Sequence, residues 1–211
     1  MRVAVLVSGQ GSNLQALIGA VHGREAQIVA VASDRGDAPA LEHARAAGIP
    51  TASFPLSDHA DRRDRDTAIA DWLDAHDTEL VVLAGYMALL TPAFLARFAD
   101  RVINVHPSLL PSFPGMRAIE QALEHGVKVT GVTVHLVDEG VDTGEILLQR
   151  AIQVPEGSDA GALQAALRPL EHELLPEAVR LFASGRVRRD PRDARRVQAL
   201  RETPGSARGG S

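Results

Sequence analysis

The chain has 211 residues, 45% of them hydrophobic and 23% charged, which suits one globular domain with a full core. It has no cysteine, which excludes disulfides and thiolate chemistry and fits a cytoplasmic location. No stretch approaches the roughly 20 apolar residues of a membrane span, and the first apolar run is too short for a signal peptide.

That first run, "VAVLV" from Val3, is continuous rather than alternating, as expected for a strand covered on both faces. "SGQGSNLQAL" follows, with Gly9 and Gly11 between the strand and a helix expected over Asn13 to Val21. Small residues let a ligand approach the backbone, and the N–H groups at a helix start attract anions. The stretch reads equally as a tight turn with a Ser/Asn cap. It lacks the Lys of a phosphate-binding Walker loop and the third glycine of a dinucleotide fingerprint.

Further strands are expected at "IVAVAS" from Ile28, "LVVLAG" from Leu80 and "VINVH" from Val102. Helices are expected between them: Ala38 to Ala47, stopped by Gly48; Asp61 to His76; Pro92 to Phe98, with Thr91 as cap; and Ala118 to His125. This alternation predicts an α/β fold, a doubly wound and mostly parallel sheet with helices on both faces.

"NVHPSLLPSFPG" interrupts the pattern. Asn104 and His106 lie two apart, so they project from one face where a strand ends, and ligands of open α/β sheets bind at that end. A histidine there is also compatible with a loop cap. After residue 127, "KVTGVTVHLV" and "EILLQRAIQV" read as longer antiparallel strands joined through "DEGVDTG". Asp138, Glu139 and Asp142 crowd that connection, as in a metal site or a solvated turn; the distal Glu of a calcium loop is missing.

A long helix is expected from Asp159 to Ser184, with Leu163, Leu167, Leu170, Leu174 and Leu181 as its buried stripe and Pro169 and Pro176 bending it. Residues 1–185 thus form one domain. Residues 186–211 read as a flexible Arg-rich extension, with eight Arg against Asp190, Asp193 and Glu202. The stretch carries +5 and the preceding part −10 of the net −5, and without interleaved aromatics it does not read as a nucleic-acid tail.

Taken together and in this order, "SGQGSNLQAL", "LAGYMALLTPAF", "INVHPSLLPSFPG" and "GVTVHLVDEGVDTGEIL" resemble the phosphoribosylglycinamide formyltransferases, folate-dependent enzymes of purine synthesis. The resemblance runs from about residue 2 to 185. "HPSLLP" marks the wider formyltransferase and hydrolase superfamily, and the N-terminal "SGxGSN" points to this branch.

The resemblance implies a Rossmann-like formyltransferase fold. It also implies transfer of a formyl group from 10-formyltetrahydrofolate, as co-substrate and without a metal, to the amine of glycinamide ribonucleotide. Asn104, His106 and Asp142 match the catalytic trio. Gly11, Ser12 and Asn13 match the nucleotide site, together with Arg168 on the phosphate side and Glu171 at the amine. Arg65, Met87, Ala88, Leu89 and Leu90 match the folate pocket, with Asn104 and the Asp138, Glu139, Gly140, Val141, Asp142 loop. Ala88 stands where some members carry Arg. The implied partners are small molecules, with neither nucleic acid nor membrane; the oligomeric state is not implied.

Three other readings compete. Methionyl-tRNA formyltransferase needs a further C-terminal domain, which the residues after 185 are too few to make. Formyltetrahydrofolate deformylase, a hydrolase, usually carries an N-terminal regulatory domain and a second His after the catalytic one, where this chain has Pro107. A non-catalytic nucleotide-binding module has no use for Asn104, His106 and Asp142 together.

Overall fold

The structure is a computed structural model that describes residues 1–190 and 193–199. Seven strands form one sheet: β1 (Arg2–Val7), β2 (Gln27–Ser33), β3 (Thr51–Ser53), β4 (Leu80–Leu83), β5 (Val102–His106), β6 (Val129–Leu136) and β7 (Ile146–Gln153). Their order is β3-β2-β1-β4-β5-β6-β7. The pairs from β3 to β5 are parallel, and β5–β6 and β6–β7 are antiparallel.

Strand parity divides the core into two layers. Val3, Val5 and Val7 face one side of the sheet with Leu80, Val82, Ile103 and Val105. There they meet Leu14, Leu17 and Val21 of α1 (Ser12–Val21), Leu41 and Ala44 of α2 (Ala40–Ala46), and Leu163, Leu167 and Leu174 of α6 (Ala160–Ala183). Ala4, Leu6, Val81 and Val102 face the other side, against Ile69 and Leu73 of α3 (Arg62–Ala75) and Phe94 and Leu95 of α4 (Pro92–Arg97). The helix α5 (Ala118–Glu124) follows the loop after β5 and packs Ile119 and Leu123 onto the first layer. Burial of a side chain of this size contributes about 1.5–3 kcal/mol, so both layers are substantial.

Local chemistry sets several boundaries. Asp61 caps α3 by accepting the Asp64 N–H at 2.9 Å, and Asp159 caps α6 by accepting the Ala162 N–H at 2.7 Å. Pro92 occupies the first turn of α4, where its missing N–H costs nothing. Pro169 and Pro176 lie inside α6, which nonetheless runs as one helical span. Leu170 of the expected stripe is only partly buried, while Leu163, Leu167, Leu174 and Leu181 are buried.

Two features escaped the reading of the sequence. The three-residue β3 and a 3-10 turn at Leu56–Asp58 are too short to leave an apolar run. In the Arg-rich segment, β8 (Val187–Asp190) and β9 (Asp193–Ala199) pair antiparallel, with β9 beside β7. A ladder of backbone hydrogen bonds needs no apolar core, so composition does not register it. Residues 191–192 and 200–211 of that segment lie outside the described residues. Among the described residues no helix is long and apolar enough to cross a membrane.

Candidate active site

Chain order turns back between β1 and β4: β2 and β3 lie on one side, β5 on the other. The loops leaving the carboxyl ends of β1 and β4 diverge there and open a crevice, the usual place for a ligand in such a sheet. A cleft of about 700 Å³ occupies it, reaching from Asn13 and Glu171 past the end of β5 to the 85–92 and 137–142 segments.

At the β1 end, Gly11 adopts a left-handed φ of 79° and begins α1 without a side-chain cap. A Cβ there would lie 2.6 Å from the Ala40 Cβ, so only glycine brings the two backbones this close. Asn13 is buried and donates from Nδ2 to Glu171 Oε2 at 2.9 Å, tying α1 to α6. Its Oδ1 is buried and has no hydrogen-bond partner among the described residues.

At the β5 end, Asn104 and His106 share the face of Val102 and line the cleft together with Pro92 and Leu95 of α4. Antiparallel pairing sets His135 of β6 opposite Asn104. The loop after β6 then brings in Asp142. His106 Nδ1 lies 3.3 Å from Asp142 Oδ2, and Gly115 N–H donates to the same oxygen at 2.8 Å. Asn104 Nδ2 lies 3.4 Å from Asp142 Oδ1 and 3.2 Å from His135 Nε2. The reverse amide orientation would set oxygen against carboxylate. His135 Nδ1 faces the Leu136 carbonyl at 2.7 Å, and its Nε2 lies 3.4 Å from Asp142 Oδ1.

His106 Nε2 faces the Phe113 carbonyl at 2.8 Å. Both ring nitrogens therefore face oxygen acceptors, and only the doubly protonated ring donates to both. Phe113 and Asp142 hold φ of 54° and 55°, a conformation rare for a bulky residue such as Phe and easier for Asp, and both touch His106. The loop carrying Phe113 is anchored from below: buried Thr133 donates to the Ser108 carbonyl at 2.7 Å and accepts the Leu110 N–H at 3.1 Å.

Burial alone pushes the Asp142 carboxyl up. The hydrogen bond from His135, the Gly115 N–H and the charges of His106 and His135 outweigh it and hold the group at about 2. The segment after it closes on the sheet at Gly144, where a Cβ would sit 1.8 Å from the Leu136 carbonyl oxygen.

A formyl transferase family profile matches residues 1–179. The chain belongs to the formyl transferase family. Among curated members it is 46% identical over 184 residues to the phosphoribosylglycinamide formyltransferase of Mycobacterium tuberculosis, covering 87% of this chain and 85% of that one. It is 45% identical over 189 residues to the trifunctional purine biosynthetic protein adenosine-3 of Bos taurus, covering 89% of this chain but only 19% of that much longer protein. The solved glycinamide ribonucleotide transformylase 1 of Symbiobacterium toebii superposes with a TM-score of 0.90 at 47% identity, covering 95% of this chain and 94% of that one.

Of the residues singled out by resemblance to this family, Asn13, Glu171, Met87, Ala88, Leu89, Leu90, Asn104, His106 and 138–142 line the cleft of the formyl transferase. Gly11 and Ser12 stand behind the wall at the head of α1. Arg168 is exposed and off the wall, one turn of α6 before Glu171. Arg65 is also off the wall: it is buried, paired with Asp66, and turned inward from α3. Arg62, one turn earlier, lines the cleft instead, the only Arg or Lys on its wall among the described residues. Neighbouring arginines in "RRDRD" obscured that register. Sequence reasoning also missed His135, whose position two residues before the end of a strand, opposite Asn104, becomes visible only once the antiparallel register is known.

Proposed function

We infer that this formyl transferase passes the formyl group of 10-formyltetrahydrofolate to the amine of phosphoribosylglycinamide. The observation that carries this reading is the convergence of Asn104, His106 and Asp142 midway along the cleft, with Asn13 and Glu171 at one end and the 87–90 wall with Arg62 at the other. The names of relatives matched over most of their length support it.

The nucleotide phosphate belongs against Gly11, Ser12 and Asn13, where uncapped N–H groups favour an anion. Arg168, exposed one turn of α6 before Glu171, serves the phosphate side. Glu171 accepts from the amine. The folate ring packs on 87–90 and hydrogen-bonds the backbone of the 138–142 loop, and its carboxylated tail reaches Arg62 at the mouth.

The amine nitrogen attacks the formyl carbon. A C–N bond forms and the carbonyl electrons move onto oxygen, giving a tetrahedral oxyanion. Asn104 and protonated His106 donate to it. The bond from carbon to folate N10 then breaks, and the proton lost by the amine is delivered to N10, with His106 as carrier, directly or through water. Both donors are engaged within the protein when the cleft is empty. The Phe113 carbonyl is the contact His106 gives up, because Asp142 must keep the charged ring in place. Asp142 stays ionised throughout, held near 2.

The test is an assay of the purified chain with both substrates, following tetrahydrofolate and the N-formyl nucleotide, and a parallel run without the amine in which formate is measured. Equal amounts of both products, with no formate in the second run, are expected. Formate release without the amine would make the chain a hydrolase; no turnover in either run would make it a binding module.

A further inference from the structure

The wall from Met87 to Thr91 has no regular secondary structure, so no ladder holds its backbone. Met87 and Leu89 are 59% and 56% exposed, so little packs on them from outside. Side chains behind the wall hold it instead. Met87 N–H donates to Ser8 Oγ at 2.8 Å, and Ser8 Oγ donates to Asp34 Oδ1 at 2.6 Å. The Leu89 carbonyl accepts from Arg65 Nη2 at 3.2 Å, and the Thr91 N–H donates to Asp66 Oδ2 at 2.7 Å.

Arg65 and Asp66 are 3% and 1% exposed and bond each other, from Nε at 2.9 Å and from Nη2 at 2.6 Å to one carboxylate oxygen. A buried ion pair adds little stability over apolar residues of the same volume, because desolvation cancels most of its attraction. The pair therefore calls for another explanation, and its remaining contacts supply one: each member holds one backbone group of the same cleft wall.

We propose that Arg65 and Asp66 are a positioning pair for the formyl donor, fixing the 89–91 backbone against which the donor's ring packs without touching the donor. This rests on the assignment of that wall to the folate. It also gives Arg65, which resemblance sets in the folate pocket, a role from behind the wall. The nucleotide end of the cleft, built from α1 and α6, shares none of these bonds.

The test is Asp66→Asn, with steady-state constants for both substrates and calorimetric binding of the product tetrahydrofolate. An amide nitrogen facing the guanidinium would set donor against donors, so it turns to Thr91 and that bond is lost. The donor KM and the tetrahydrofolate Kd should rise about tenfold, the scale of one buried hydrogen bond to a charged group. The nucleotide KM should stay within about twofold and kcat within about threefold. A purely structural role would lower the active fraction, and hence kcat, without separating the two KM values. The double variant Arg65→Met with Asp66→Leu leaves no buried charge unpaired; it should keep its melting temperature and show the same donor-selective rise. If Asp66→Asn does not fold, the double variant decides, and Arg65→Lys, which keeps a charge beside Asp66 but loses the fork that reaches the Leu89 carbonyl, decides if neither folds. Wild-type turnover with unchanged donor constants in the folded variants overturns this proposal alone. Absence of wild-type turnover overturns the reading of the reaction, and this proposal with it.

Discussion

Two of the carboxylates that line the cleft, Asp142 and Glu171, are held in opposite ways. Asp142 comes from a loop, yet three side chains and a backbone N–H surround its oxygens. Glu171 comes from the middle of a long helix, yet its one described hydrogen bond is from Asn13, whose own carbonyl oxygen is buried and unmatched. The surrounded carboxylate is preorganised before any ligand arrives, as transition-state stabilisation requires. The sparsely bonded one leaves capacity for a ligand to complete. On the proposed reading, the catalytic group and the binding group thus differ in how many of their bonds the protein has already made.

Removing charge from the surrounded member tests this contrast most severely. Asp142→Asn keeps the shape but cannot hold a protonated His106, and kcat should fall at least ~100-fold, or about 2.7 kcal/mol, with both KM values nearly unchanged. Near-normal turnover would shift the supporting role to Asp138 or Glu139. On the sparsely bonded side, Asn13→Ala should raise the nucleotide KM about tenfold and leave kcat within about threefold, because it removes binding rather than chemistry. A change confined to the folate KM would reverse the two ends of the cleft.

At the mouth, Arg62→Ala should raise the donor KM about fivefold, the scale of one exposed ion pair, and Arg168→Ala should raise the nucleotide KM by about the same factor. The smallest effect concerns acid stability. Asp142 sits at about 2 against an ordinary 3.8, so the folded state binds its proton less readily than the unfolded chain. The resulting stabilisation is complete above 3.8 and is lost as pH falls through about 2. Urea melts at pH 4, 3 and 2 should show a steeper decline in wild type than in Asp142→Asn; parallel declines would mean that Asp142 carries no such linkage.

The two sides also differed in how far they could be read from sequence. The glycine turn and α1 obey local rules, and glycine followed by Ser and Asn at a strand end was legible as a tight turn into a helix. Asn104 and His106 were legible as a pair because the two-residue period of a strand is local as well. His135 was not, because it joins them through the register between β5 and β6, which depends on the length of the intervening loop and helix. Arg62 and Arg65 show the same limit on a helix. Resemblance located the arginine cluster, but which member faces the cleft follows from how α3 rolls against the sheet, and that is fixed by Ile69 and Leu73 further along. The hairpin of β8 and β9 left no sign for a third reason, since strand pairing of a polar segment leaves little compositional trace.

Gly144 sets a boundary on redesign. Its backbone passes so close to the Leu136 carbonyl that no side chain fits, so the return from the Asp142 loop into β7 is fixed in both identity and length. Residues 138–141 are exposed, but Asp138 accepts from Thr143 Oγ1 at 2.7 Å and a Cβ on Gly140 would lie 1.9 Å from that hydroxyl. Exchange of Glu139 or Val141 would therefore remodel the surface of the cleft without touching these ties. An insertion beside 144 would instead slip the register of β7 and carry the whole hairpin with it.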